Sequence, residues 1–428
     1  MDLHIICIVL LILIIIIMLI PNCALMIENF DESKITLKEF ATNKIKEFNY
    51  DFYSPYIEKY FKPMKIINLK SIPVINNGLI FCSVASYRDR QCPMTVKDMI
   101  DKSKDPSKLI ICICQQNNTD VDDDCIKNYA NEKNVKIKII RLSDKDARGP
   151  CWARYLIQQE WRGEEFFLQV DSHMRFMQDW DYHCLENLKM LPEKSCLTNY
   201  PSDFNLEAGE PDKNNPLRGG LFIVNKESHE HDGFFRINSD YVKKLDKPEL
   251  ARGWGACFSF SKSNILHDAP YDPYTPYLFF GEEMDIWARM YTNGWYLYAP
   301  TEPICFTSFD RSYRPTFWEN PDQAHGEYLS RLRLYYRFGY LKNIPEELKI
   351  ALEYYDLGPE KTWDEFMKFS LDDLEPTYSS NNQNVSNNQT VSNNQTVSNN
   401  QTIIEPQYLS IEEKKSNKQF NIDEAYIK

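Results

Sequence analysis

Asp171-Ser172-His173 sets a carboxylate and an imidazole two residues apart, directly after the apolar run Phe166-Phe167-Leu168-Gln169-Val170. On an extended backbone, residues i and i+2 point to the same side, so both side chains face one point beyond a strand's end. One divalent cation fits there. Such a cation neutralises the charge that builds on a departing diphosphate, and a mixed oxygen and nitrogen donor set suits manganese, with magnesium as the alternative, better than calcium. The plainer reading of the same residues is a capping Asp beside a satisfied surface His.

Asp144, Asp146, Arg148 and Arg154 surround Gly149-Pro150 at the entry to a helix, where backbone amides and guanidinium groups hold a pyrophosphate. Arg88, with Asp89 and Arg90, follows an earlier apolar run and has the same potential. Both clusters read equally well as turns with solvated charges. Phe279-Phe280-Gly281 leads into a helix whose first turn holds Glu282, Glu283 and Asp285. The helix dipole favours carboxylates there whatever their role, and in a cleft they also bind hydroxyls or orient an acceptor. Trp254, Tyr271, Tyr274, Tyr277 and Trp295 offer stacking faces for a pyranose, or simply core.

The elements that must position these residues alternate. Apolar runs at Leu79–Ala85, Leu109–Cys114, Val135–Leu142 and Phe166–Val170 are separated by helix-like Met94–Asp101, charged Asp120–Lys133 and helical Cys151–Trp161. This pattern predicts an α/β domain with a mostly parallel central sheet, whose ligands sit beyond the carboxyl ends of its strands. The residues there are Ser86–Arg90, Gln115–Asn118, Ser143–Arg148 and Asp171–Arg175. Residues 28–76, rich in aromatics without clear period, read as a stem packed partly on the domain. Residues 195–345, richer in Gly, Pro, Trp and Tyr, read as the acceptor half.

Leu3 to Ile20 is apolar except for His4 and reaches ~27 Å as a helix, enough to span a bilayer as a single N-terminal anchor. No basic stretch precedes it and no small-x-small cleavage site follows, which argues against a cleaved signal. Lys34 and Lys38 are too few to set the orientation. A net charge of -13 weighs against a nucleic-acid partner. Twelve cysteines without a CxxC pair exclude a zinc-finger pattern and leave the redox compartment open. Val-Ser-Asn-Asn-Gln-Thr repeats from Val385, Val391 and Val397 form a polar tail. Asn117, Asn384, Asn388, Asn394 and Asn400 each begin an Asn-x-Ser/Thr sequence, relevant only in a glycosylating lumen.

Four ordered motifs carry a resemblance: Ile80–Asp89 (IFCSVASYRD), Ala147–Arg154 (ARGPCWAR), Gln169–Phe176 (QVDSHMRF), and Phe280–Glu283 (FGEE) with Arg289–Trp295 (RMYTNGW). Over roughly residues 78–340 the chain resembles the N-acetylglucosaminyltransferases of glycosyltransferase family 60, which modify protein hydroxyl groups; its asparagine- and lysine-rich style is similar to members encoded by giant DNA viruses. The resemblance implies a GT-A fold and a UDP-sugar donor, with UDP-N-acetylglucosamine expected. It also implies a metal at Asp171 and His173, and transfer to a protein or glycan hydroxyl with retention of the α configuration. Ser86, Tyr87, Arg88 and Asp89 are then expected near the nucleotide, and Arg148 and Arg154 near the diphosphate. Glu282, Glu283 and Asp285 become candidates for sugar and acceptor contacts, with Trp254, Gly281 and Trp295 lining the acceptor site. The implied organisation is an anchor (1–23), a stem (24–77) and a transferase domain (78–345, divided at 194/195). A helical extension (346–378) and the Asn-rich tail (379–428) follow. One departure stands out: relatives commonly place a metal-binding histidine in the segment matching Cys305–Asp310, where this chain has none. Asp310, His267, water or diphosphate oxygens are the candidates to fill that position.

Overall fold

The computed structural model describes residues 32–127, 133, 135–206, 209, 221–228, 234–242, 245–371 and 406–411. The expected anchor and the Asn-rich repeats lie outside these residues. Among the described residues no helix is long and apolar enough to cross a membrane.

Two helices, α1 (Glu32–Lys46) and α2 (Tyr50–Tyr60), precede the sheet. Asn49 caps α2 by accepting from the Phe52 amide, and Ile57 and Tyr60 turn inward. Four strands, β1 (Ile80–Tyr87), β2 (Leu109–Asn117), β3 (Lys136–Ser143) and β4 (Phe166–Asp171), pair in parallel in the order β3-β2-β1-β4. Their connections carry α3 (Cys92–Asp101) and α4 (Pro150–Gln158). β1, β2 and β4 are nearly all apolar because both their faces are covered, whereas β3, at the sheet's edge, is partly exposed along its length and carries Lys136, Lys138 and Arg141. Ile80, Cys82 and Val84 enter one core with Val96 and Met99 of α3, while Phe81 enters the other with Ala153 and Ile157 of α4.

The second half departs from the expected mostly parallel sheet. After β5 (Met174–Phe176) and α5 (Trp180–Lys189) come β6 (Ser195–Thr198), β7 (Ser202–Asp203), β8 (Leu221–Ser228), β9 (Phe235–Val242), β10 (Glu249–Ala251) and β11 (Phe258–Lys262). The chain continues through α6 (Ile265–Asp268), α7 (Glu282–Thr292), β12 (Tyr296–Ala299), β13 (Cys305–Thr307), α8 (Gln323–Arg337) and α9 (Trp363–Leu371). The central sheet has eight strands in the order β10-β12-β6-β11-β4-β1-β2-β3. It is mixed, because β11 runs antiparallel to both β4 and β6, and β10 antiparallel to β12. A small sheet, β5-β13-β7, folds over its carboxyl edge.

The stem is built into the larger core: Ala41, Ile45, Ile57 and Tyr60 are buried there with Leu329 and Leu332 of α8. Residues 406–411 return to the same region, with an antiparallel bridge between Ile67 and Tyr408 and Leu409 N bonded to Ile66 O at 2.8 Å. Part of the stretch expected as a tail is thus packed structure. Asn117 is buried, its amide donating to Asp123 O at 2.7 Å, so this acceptor sequence is closed to a glycan in the folded chain.

Candidate active site

β1 and β4 are neighbours, and the chain leaves β1 toward β2 on one side and β4 toward β6 on the other, which opens a crevice at their carboxyl ends. A cavity of about 600 Å³ occupies that crevice. Its floor is Ala85 and Tyr87 from β1, Gln116 from β2 and Asp171, Ser172 and His173 from β4 and its exit; Gly149 and Pro150 at the head of α4 form one side.

Parallel register puts Ala85 opposite Asp171. Asp171 Oδ2 and His173 Nε2 stand 3.8 Å apart at the cavity, the convergence expected from their i, i+2 spacing. Behind them His173 Nδ1 lies 2.9 Å from Asp89 Oδ2. Burial alone would raise the Asp89 pKa, but the His173 hydrogen bond and charge, with Arg314, win and hold it well below the usual carboxylate range. An ionised Asp89 accepts from Nδ1–H, which in the neutral imidazole leaves the Nε2 lone pair facing the cavity.

The expected phosphate arginines are placed differently. Arg154 is 4% exposed and bridges two carboxylates, bonding Asp171 Oδ1 at 2.8 Å and Glu282 Oε1. It borders the cavity, but its charge is committed to the protein. Arg148 does not line the cavity; its guanidinium stacks on Trp152 (4.3 Å) and Tyr60 (5.4 Å). Arg88 sits at φ 49 and is tied to Asp122 (2.8 Å) and Asp144 (3.6 Å), so it shapes the turn after β1. Ser86 and Asp89 are buried behind the cavity wall, which leaves Tyr87 as the cavity-lining residue of Ser86–Asp89.

The three carboxylates of α7 diverge because successive helical positions are about 100° apart. Glu282 faces Arg154 and the Tyr271 hydroxyl (2.6 Å). Glu283 faces the cavity, accepting from Tyr200 Oη and from Ala256 N at 2.9 Å; burial outweighs these bonds and raises its pKa to about 7. Asp285 does not line the cavity and joins a buried network with Arg337, Arg289, Asp272 and Arg333. Trp254 and Trp295 are each 1% exposed, donating to Ser259 Oγ (3.1 Å) and Asp268 Oδ2 (2.8 Å), so neither stacks on an acceptor. Gly281 lines the cavity at φ 108.

Of the residues missed from sequence, Tyr200, Ala256 and Cys257 line the cavity beside Glu283, and others come from the segment after β13. Antiparallel pairing of β13 with β5 carries this segment across His173, with Ser308 N bonded to His173 O at 3.2 Å. Phe309, Arg311 and Arg314 line the cavity, and Arg311 stacks between Phe279 and Trp318 at 5.2 Å from each ring. Burial lowers the Arg311 pKa, with Asp171 the largest opposing charge. The basic, aromatic run Arg311-Ser312-Tyr313-Arg314 after a short apolar strand was the available signal. Neither proposed third ligand is in place. Asp310 caps the Ser312 amide at 2.8 Å and is not a lining residue. His267 Nε2 lies 2.9 Å from Ile72 O, with its ring against Trp161 on the stem side. Among the described residues no group of three or more His, Cys, Asp or Glu converges as a metal site.

Residues 79–132 and 126–408, together more than half of the chain, match the family model described as Glycosyltransferase (GlcNAc). A search of curated proteins finds no match. Solved structures with a similar chain path include GalNAc-T7 with UDP, GalNAc and Mn2+ (12% identity, TM-score 0.47, 68% of this chain and 56% of that one). Others are S. aureus TarS 1-349 with UDP-GlcNAc (12%, 0.38, 60% and 65%) and the mannosyltransferase PcManGT from Pyrobaculum calidifontis with GDP-Man and Mn2+ (10%, 0.36, 72% and 83%). The chain spans little more than half the length of the GalNAc-T7 chain.

Proposed function

Because the chain belongs to the glycosyltransferase (GlcNAc) family, we propose that it is a metal-dependent, retaining GT-A enzyme that moves GlcNAc from UDP-GlcNAc to a protein or glycan hydroxyl. The observation that carries this reading is the convergence of Asp171 Oδ2 and His173 Nε2 on the cavity at 3.8 Å. The donor set fits a divalent cation of the manganese type: one carboxylate oxygen is left over from the Arg154 bridge, and one imidazole nitrogen is freed by Asp89. When bound, the cation supplies charge neutralisation to the departing diphosphate.

Asp171 and His173 hold one side of the diphosphate position. Arg311, stacked between two rings, presents a permanent cation to the same space in place of Arg148 and Arg154. Tyr87 and Gln116 mark the nucleotide end, at the tips of the inner strands. Phe280 and Trp318, both exposed at the mouth, offer faces to the acceptor, and Glu283 offers a hydrogen bond. Single-pass membrane attachment through Leu3–Ile20 is part of the same proposal.

UDP release from UDP-GlcNAc, UDP-glucose and UDP-galactose by the full chain with manganese tests the donor. UDP-GlcNAc is expected to be the best donor, and Asp171→Ala is expected to lose at least about 100-fold, on the order of removing a main charge-stabilising group. Equal turnover of Asp171→Ala and wild type would sink the metal assignment. The incomplete protein ligand set favours one rival, a glycan-binding protein without turnover. Absence of manganese-linked UDP binding in calorimetry would support it.

A further inference from the structure

Asp89 follows β1 at the turn where Arg88 takes a left-handed conformation, φ 49, held by Asp122 and Asp144. A bulky residue is costly there, and the turn rotates Asp89 away from the cavity into the protein. Its side chain is wholly covered. Four hydrogen bonds and one ion pair meet on its two oxygens. Oδ2 accepts from Ser172 Oγ (2.7 Å) and His173 Nδ1 (2.9 Å), with Arg314 Nε at 3.3 Å. Oδ1 accepts from Tyr313 Oη (2.8 Å) and the Gln91 amide (2.9 Å). These donors come from three places: the start of α3, the exit of β4, and the segment after β13.

We propose that Asp89 is a positioning residue that fixes the cavity-facing nitrogen of His173 and fastens the Arg311 segment above it. The inference rests on the reading of Asp171 and His173 as a cation site. The physical case is one of valence. A carboxylate has lone pairs for several donors and no hydrogens, whereas an asparagine amide would turn an NH2 group toward one set of donors. In the buried setting that leaves donors unmatched and His173 free to change tautomer or rotate. Thr95 steadies the same backbone from α3, its hydroxyl bonded to Ser172 O and accepting from Met174 N, each at 2.8 Å. The side chain of His173 is then held by Asp89 and the main chain on either side of it by Thr95.

The test is manganese affinity of the full chain in the presence of UDP, read by paramagnetic resonance of free manganese, for wild type, Asp89→Asn and Tyr313→Phe. Melting curves check folding. Asp89→Asn is expected to weaken manganese binding by about 10–100-fold, the usual effect of losing a ligand's supporting carboxylate. Tyr313→Phe removes one tie to the upper segment, leaving the Arg314 ion pair and the His173 bond in place, and is expected to bind manganese as the wild type does. Nitrogen-15 NMR of metal-free wild type is expected to show His173 protonated at Nδ1. A wild type that binds no manganese overturns the cation reading and this inference with it. A wild type that binds, beside an Asp89→Asn that binds equally well, overturns this inference alone. An equal loss in Tyr313→Phe would place the effect in the segment, not in His173. Should Asp89→Asn fail to fold, a His173 protonated at Nε2 in the wild type still refutes the proposal.

Discussion

Arg154 shows how one residue type serves two readings. Its charge and its place at the head of α4 suggested a phosphate ligand, yet the folded chain spends that charge on Asp171 and Glu282. Arg154→Met leaves two carboxylates facing each other in a buried site. A loss of about 3–5 kcal/mol is expected in urea unfolding, the range for breaking a buried pair from one side. A loss below about 1 kcal/mol, the scale of an exposed pair, would show that Arg154 is dispensable to the fold. Glu283 gives a prediction in pH. Burial raises its pKa to about 7 from an unfolded value of 4.5. The folded chain therefore keeps a proton that the unfolded chain has released, so this contribution is whole below pH 4.5 and is lost as pH rises through 7. Melting temperature is expected to fall more between about pH 5 and 8 for wild type than for Glu283→Gln, whose neutral amide does not titrate. Parallel curves would refute the raised value. Asp171 and His173 were legible in the sequence because strand geometry fixes the direction of i and i+2. Glu283 could not be told from Asp285 in the same way, since both lie in one acidic helical turn and only packing separates them.

At the scale of elements, β1, β2 and β4 were legible because each is buried on both faces and reads as an apolar run, and the edge strand β3 because its isoleucines stand out between Lys136, Lys138 and Arg141. The strands of the second half hid from the same reading. β6, β10, β11 and β12 have 4, 3, 5 and 4 residues. That is too short to show a period, and their antiparallel partners lie far along the chain. The head of α4 is a different case, where one glycine was visible and its reason was not. Gly149 sits at φ 85 and ψ 179, a conformation essentially confined to glycine. A Cβ there would lie 2.9 Å from the Tyr277 backbone, which bonds Arg148 O at 2.6 Å. Gly149→Ala is expected to cost about 1–3 kcal/mol in denaturant unfolding. UDP affinity should fall with it, because Gly149 and Pro150 are part of the cavity wall. Unchanged stability would mean that the turn relaxes without strain.

For the whole molecule, the cysteines carry information that their spacing withheld. Cys92 at the start of α3 is joined to Cys125, 33 residues on, while eight described cysteines are free and buried. The bridge ties α3 to the loop bearing Asp122, which holds Arg88 and so the turn that presents Asp89. Burial pushes the free thiols up, Cys112 and Cys196 to about 12 and Cys82 and Cys151 well above the ordinary value, so few thiolates exist to attack the bridge. Among the described residues the free thiols are sealed, so the Cys92–Cys125 pairing persists once formed. Closing a loop of this length removes unfolded-state entropy worth about 3–4 kcal/mol. Non-reducing peptide mapping should therefore recover a Cys92–Cys125 crosslink, and alkylation of the eight buried thiols should require denaturant. Cys92→Ser/Cys125→Ser should unfold at lower urea by a comparable free energy. Equal stability of the double variant would show that the inner sheet alone sets the turn after β1.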